Sequence, residues 1–210
     1  MTRLYDITPP IAPGIAVWPG DTPLSREILL DMKAGANITL STLRATVHLG
    51  AHADGPNHYG VDGPAIHDRS LTHYLGPCQV ISVGVGRGSR VMPEHVSCEI
   101  GAPRVLVSTG TYPDPLDWND DFAALSPELV DWLAARRVIT VGIDTPSVDL
   151  FSSKDLPAHR AILRHDMAIL EGIVLSEVPD GVYELIALPL PLVGFDASPV
   201  RAVLRAADLD

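Results

Sequence analysis

The sequence predicts one mixed α/β domain over residues 1–210, with a sheet core, peripheral helices and long proline-rich loops. Three observations lead there. Short runs rich in β-branched residues recur between Gly and Pro. One strong helix start interrupts them, at Ser126-Pro127-Glu128. The 19 prolines fall mostly between the runs, which implies ordered connections of the kind that carry sites. A chain of 210 residues can bury a substantial core, and nothing demands a second domain.

The first strand is expected at 42–49. Leu43, Ala45, Val47 and Leu49 alternate there with Thr42, Arg44, Thr46 and His48, an apolar face against a polar one. Residues 78–85 and 104–108 read as short buried strands. At Ser126 the signals for a helix coincide: a Ser N-cap, Pro in the first turn and an early acidic residue. Leu129, Val130 and Leu133 give that helix its apolar face, and Arg136 and Arg137 suit its C-terminal dipole. Strands follow at 138–143 and 182–188. Between them, Pro157-Ala158-His159-Arg160 opens a short helix after Asp155.

Composition removes several classes of function. Apolar residues make up 46% of the chain and mean hydropathy is +0.19, as in a compact soluble protein. A formal charge of −11 without a basic cluster argues against nucleic acid and anionic membrane partners. Residues 185–195 are apolar, but Pro189 and Pro191 interrupt them and they are too short to span a bilayer. The N-terminus runs into Pro9, Pro10 and Pro13 rather than an apolar leader. Cys78 and Cys98 form no C-x-x-C pair, so both are expected to be buried inert thiols in a reducing cytoplasm.

The chemistry concentrates in His48-Leu49-Gly50-Ala51-His52-Ala53-Asp54-Gly55-Pro56-Asn57-His58. Three imidazoles and a carboxylate, all good zinc ligands, occupy this stretch without an opposing Lys or Arg. His48 and His52 have the spacing of a helical H-E-x-x-H motif, yet Leu49 stands where the Glu belongs. Gly50, Gly55 and Pro56 also disfavour a helix. In a straight strand at ~3.3 Å per residue, His48 and His52 would lie about 13 Å apart, too far to share one ion. The chain must bend, and Gly50 permits it; 42–49 is therefore expected to break there into a ligand-bearing loop. His52 and Asp54, two apart, can share an ion without a bend. Downstream, His159, His165 and Glu171 are further candidate ligands, and spacing does not choose between the two histidines.

With these residues in hand, the chain resembles the bacterial-type kynurenine formamidases of the metal-dependent cyclase family. The resemblance runs nearly end to end, through Val17-Trp18-Pro19-Gly20-Asp21-Thr22-Pro23, the His48–His58 stretch and Tyr74-Leu75-Gly76-Pro77. It continues in Gly142-Ile143-Asp144-Thr145-Pro146-Ser147-Val148-Asp149, Ile169-Leu170-Glu171-Gly172, Tyr183-Glu184-Leu185-Ile186-Ala187-Leu188-Pro189-Leu190 and Ala197-Ser198-Pro199-Val200-Arg201-Ala202. It implies a cyclase-like swivelling β/β/α fold with a barrel-like sheet. It also implies two divalent ions per chain, zinc first, with His48, His52 and Asp54 as ligands and Asp54 bridging. His159 and Glu171 complete the second site, His58 is the catalytic acid/base, and Trp18 meets the substrate's aromatic ring. Leu49 and Gly55 depart from the pattern. Leu49 is expected to alter packing beside the metals, and Gly55 to loosen the loop carrying His58.

Ligand arithmetic agrees with catalysis. Five side chains, with Asp54 counted twice, fill six of the eight positions of two tetrahedral ions, whereas structural zinc sites are normally closed by protein ligands. The expected reaction is hydrolysis of N-formyl-L-kynurenine to L-kynurenine and formate, in tryptophan catabolism. An isatin-type cyclic or aryl amide is the alternative, and a non-catalytic metal-binding protein the third reading. The resemblance implies a homodimer in the cytoplasm, with residues of the N-terminal segment near the partner's site, and the Pro-rich apolar segments 17–23 and 188–195 point the same way, as candidates for burial between subunits.

Overall fold

The computed structural model describes residues 3–206. Thirteen strands run in chain order: β1 (Leu4–Asp6), β2 (Ser25–Leu30), β3 (Leu40–Arg44), β4 (His52–Asp54), β5 (Leu75–Ser82), β6 (Arg90–Val91), β7 (Arg104–Ser108), β8 (Ala124–Leu125), β9 (Thr140–Ile143), β10 (Ala168–Glu171), β11 (Gly181–Ile186), β12 (Ala197–Pro199) and β13 (Val203–Ala206). Nine form one curled sheet in the order β1-β13-β11-β5-β7-β9-β10-β4-β12. Its centre, β5-β7-β9-β10, is parallel, and antiparallel strands flank it on both sides. The β2–β3 pair forms a separate hairpin, and β6–β8 a short parallel pair.

The central strands are apolar on both faces, as parallel strands buried on both sides must be. Leu106 and Leu170 point into one core with Tyr74, Leu185 and Leu204. Their neighbours Val105, Val107 and Ile169 point into the other. Two helices, α1 (Pro127–Ala134) and α2 (Pro157–Arg164), cover that second face with Leu129, Leu133, Ala158 and Ile162.

Local signals placed α1 well. The Ser126 hydroxyl accepts from Leu129 N at 3.0 Å, as its N-cap position demands. Strand 104–108 is β7 residue for residue, while β5 begins and ends three residues earlier than expected, β9 begins two later, and β11 begins one earlier and ends two earlier. The strand expected at 42–49 is displaced: β3 runs from Leu40 to Arg44, every residue of it is exposed, and Leu43 is 68% exposed. It pairs only with β2, so its apolar face has no body beneath it. The ligands after Gly50 also sit on strand β4 rather than in a loop. Cys78 is buried as expected, but Cys98 is exposed.

Two glycines lock the end of β10 against the bend at residue 50. Gly172 has φ +64 and a Cβ there would lie 2.3 Å from the Gly50 carbonyl oxygen. Gly172→Ala should therefore destabilise the protein by ~2 kcal/mol or more, through both positive φ and backbone overlap. Thermal melting should show a drop in Tm, and an unchanged Tm would disprove the close packing of these two turns.

Candidate metal centre and active-site cleft

The site follows from strand geometry. Residues two apart on a strand share a face, so His52 and Asp54 project together from β4. Strand β10 pairs with β4 so that Glu171 stands directly opposite His52, and opposed residues present side chains to the same face. That face also carries Ile169, partner of Asp54, and so lies beneath α2. His159, in the first turn of α2, reaches down to it. The bend at Gly50, with φ +57, returns His48 to the same point.

Each of the three imidazoles has one ring nitrogen tied to an acceptor outside the cluster. His52 Nδ1 lies 2.8 Å from the Gly50 carbonyl, His159 Nδ1 lies 3.0 Å from Asp149, and His48 Nε2 lies 3.0 Å from Asp196. With those nitrogens as donors, the other three carry lone pairs, the arrangement used by metal-bound histidines. All three face carboxylates. His52 Nε2 is 3.2 Å from Glu171, His48 Nδ1 is 3.1 Å from Asp54, and His159 Nε2 is 3.7 Å from both Asp54 and Glu171.

These donors fit divalent cations. Both Asp54 oxygens and His52 Nε2 are buried without a hydrogen-bond partner, a costly state in a protein interior unless something else satisfies them. Two groups of ligand atoms, His48/Asp54/His58 and His52/Asp54/Glu171, each lie within 4.8 Å of one another. Asp54 belongs to both, as a bridging carboxylate would. Protons respond to the same field. Burial alone would lower His48 and His159, but the facing carboxylates outweigh it. Asp54, Asp196 and Glu171 raise His48 to about 9, and Asp149, Asp54 and Glu171 raise His159 to about 10. Burial would raise the Asp54 carboxyl, yet the surrounding imidazoles hold it well below the usual range.

Asp149 and Asp196 were not found by the sequence reading. Asp149 accepts from the backbone N–H groups of Ala158 and His159 as well as from Arg90. It thus caps α2 from a distance and orients His159 in one arrangement. Asp149 closes the quoted 142–149 block and Asp196 immediately precedes the 197–202 block, but no spacing rule ties either to a histidine. The Asp196 carboxylate lies 3.5 Å from His58 Nδ1 as well as 3.0 Å from His48 Nε2. The His58 side chain is 37% exposed, against 17% for His48 and 4% or less for His52, Asp54, His159 and Glu171. His58 is therefore the most exposed of the four histidines that line the cleft, and its ring is also close enough to serve as a ligand.

His165 lies outside the cluster and pairs with Asp131 at 2.7 Å. Gly55 does not loosen the His58 turn: its N–H donates to Asp196 O at 2.7 Å, and a Cβ would lie 2.8 Å from Ile66 N. Glycine is required there for close packing. Leu49 is buried, 2% exposed, and lines no part of the cleft.

A cavity of about 610 Å³ opens over the cluster. Trp18 forms its wall, with ring centroids 5.0 Å from Phe151 and 5.4 Å from Trp118. Trp118 lines the same cavity and was not singled out by the sequence. Among the described residues, no Lys or Arg lines it.

Residues 5–150 match the family described as "Putative cyclase", and the chain belongs to that family. Among solved structures it is similar to a potential metal-dependent hydrolase with cyclase activity, at 26% identity and a TM-score of 0.83, over 98% of both chains. A predicted metal-dependent hydrolase from Bacillus stearothermophilus matches at 26% identity and 0.81, again over 98% of both. An isatin hydrolase bound to the product analogue thioisatinate shares the fold at 19% identity and a TM-score of 0.82, over 98% of this chain and 92% of that one.

Two predictions follow from this geometry. Metal uptake should displace protons from His48 and His159, whose raised values keep them charged at pH 7 in the metal-free protein. Titration of Zn²⁺ into metal-free protein in weak buffer should release protons at pH 7 and progressively fewer as pH rises through about 9 and then about 10. The sign also bears on folding. The metal-free protein gains stability from these raised values below the ordinary histidine pKa of ~6.5 and loses it as pH rises through 9 to 10. Proton release independent of pH would contradict the electrostatic picture. Separately, Asp196→Asn should retain bound metal while losing roughly 10–100-fold in rate, the usual cost of removing an orienting partner. Metal analysis beside turnover would distinguish this from a ligand role, in which metal and rate fall together.

Proposed function

We propose that this protein is a metal-dependent amide hydrolase that cleaves N-formyl-L-kynurenine to L-kynurenine and formate. The observation that carries the reading is the convergence of three imidazole lone pairs on two buried carboxylates at the floor of an aromatic-walled cleft. His48, His52, Asp54, His159 and Glu171 would hold two divalent ions, zinc first among them, with Asp54 shared. When bound, such an ion lowers the pKa of a coordinated water from 15.7 to about 7 and polarises the carbonyl oxygen.

The remaining steps belong to the chain's own groups. Water oxygen adds to the formyl carbon, the C–N bond breaks, and the anilide nitrogen leaves as an amine once it is protonated. His58 stands at the open edge of the cluster and would carry that proton from the water to the nitrogen. Asp196, against the same ring, holds the imidazole in place. The indole of Trp18 offers a flat face to the aryl ring, a contact worth ~0.5–1.5 kcal/mol beyond burial.

A neutral cyclic aryl amide such as isatin is the second reading, favoured by the absence of Lys and Arg from the cavity wall among the described residues. Among the described residues, the cavity wall offers no Lys or Arg to a kynurenine carboxylate, whereas isatin carries no carboxylate. Metal-loaded protein should be assayed on both compounds. Higher kcat/KM for N-formylkynurenine supports the first reading, and a preference for isatin replaces it with the second. Turnover of neither overturns both. With the better substrate, His58→Ala should keep its metals and lose ~10²–10⁴-fold in kcat; parallel loss of metal would make His58 a ligand instead.

A further inference from the structure

Once the metal donors are set aside, charge in the cleft has one sign. Of the residues that line the cavity, His48, His52, His159 and Glu171 belong to the cluster, and His58 stands at its edge. The remaining charged side chains on the wall are Asp21 and Asp144. Among the described residues, no Lys or Arg lines the cavity to neutralise them. The same wall presents Trp18, Tyr112 and Trp118, and an aromatic face attracts a cation through its quadrupole.

Local structure places both carboxylates. Asp21 N donates to the Trp18 carbonyl at 2.9 Å, so a single tight turn brings the indole and the carboxylate to the cavity together. Asp21 is exposed, and its Oδ1 accepts from Thr22 N at 2.6 Å. A carboxylate has about four lone-pair sites, so capacity remains for a ligand. Asp144 follows β9, beside the turn that follows β7. Its carboxylate accepts from Thr109 N, the Thr109 hydroxyl and Gly110 N at 2.7–2.8 Å. That holds a negative charge at the C-terminal ends of parallel strands, where α/β sheets commonly bind ligands. Residues 111–121, which supply Tyr112 and Trp118, add Asp114, Asp117, Asp120 and Asp121 and no Lys or Arg.

We propose that this cavity selects substrates that carry a primary ammonium group, with Asp21 as its counter-ion and the Trp18 face beside it. The substrate class is an aryl formamide whose ortho acyl chain ends in a cationic amine. This inference rests on the amide-hydrolase reading above and names how that site recognises the end of the substrate that does not react. The cleft then has two poles. Its floor of metal donors serves the formyl group, and its negative wall draws the ammonium, so the substrate enters in one orientation. Asp144 adds attraction from the wall without giving up its three donors. A substrate carboxylate gains nothing from this wall and stays at the open edge. N-formylkynuramine, which has the amine and lacks the carboxylate, should therefore serve at least as well as N-formyl-L-kynurenine. Isatin has no ammonium and gains nothing from Asp21.

Calorimetric titration of zinc-loaded protein with deformylated aryl ketones tests this apart from turnover. Kynuramine should bind on the order of tenfold tighter than ortho-aminobutyrophenone, in which a methyl replaces the ammonium. Added salt should shrink that gap, because exposed charges are screened. In Asp21→Asn the side-chain oxygen can still accept from Thr22 N, so the turn survives, and the gap should largely close. Glu94→Gln removes the same charge from an exposed position outside the cavity and should leave the gap intact. Equal binding of the two ketones by wild type, or a gap that survives Asp21→Asn, would overturn the proposal. Turnover is read separately on the formyl derivatives of both ketones. Hydrolysis of neither refutes the amide-hydrolase reading, while the binding comparison decides the ammonium site by itself.

Discussion

The structure turns on Asp54, a fully buried carboxylate whose two oxygens make no hydrogen bond. Burying an uncompensated charge is costly, and the groups that face Asp54 with opposite charge are the imidazoles of His48, His52 and His159. Three imidazoles present a nitrogen each, and their outer nitrogens are held by Gly50, Asp149 and Asp196. The same arrangement accepts protons or divalent ions, and that competition links folding, pH and metal binding at this point.

The sheet exists to hold this cluster in register. A strand only three residues long, β4 is fixed between β10 and β12. A one-residue slip would send both His52 and Asp54 to the opposite face. The glycine contact at 50 and 172 and the packing of Gly55 on the Ile66 backbone hold the chain on both sides of that strand. Arg90 bonds to Asp149, which caps α2 and aims His159. Rigidity is concentrated where the donors must stay within a few ångströms of one another, while the hairpin and the 188–195 segment remain open at the rim.

The cleft divides its work by polarity. Its floor is carboxylate and imidazole, and its wall is Trp18, Trp118 and neighbouring aromatics. In the proposed reaction, an aromatic wall would orient a planar substrate without competing with the carboxylates and imidazoles below. His58 occupies the boundary, open to the cavity yet in contact with Asp196. In the proposed reaction, that position would let it carry the proton from water to the leaving nitrogen.

Much of the site was legible in the sequence because its densest part is local. His48, Gly50, His52 and Asp54 lie within seven residues, so strand rise and glycine freedom alone required a bend and placed His52 beside Asp54. The Ser126 helix start and strand 104–108 were likewise local matters of capping and β-branched composition. The exposure of residues 40–44 was not legible, because alternation reports a two-faced strand and not whether anything lies beneath it. Nor could spacing choose His159 over His165, or reveal that Asp149 and Asp196 orient histidines 10 and 148 residues away. Those partners depend on β10 pairing with β4, on α2 crossing above them, and on the closing turn before β12. Such contacts between distant segments exist only once the sheet has formed, so tertiary structure alone decided them.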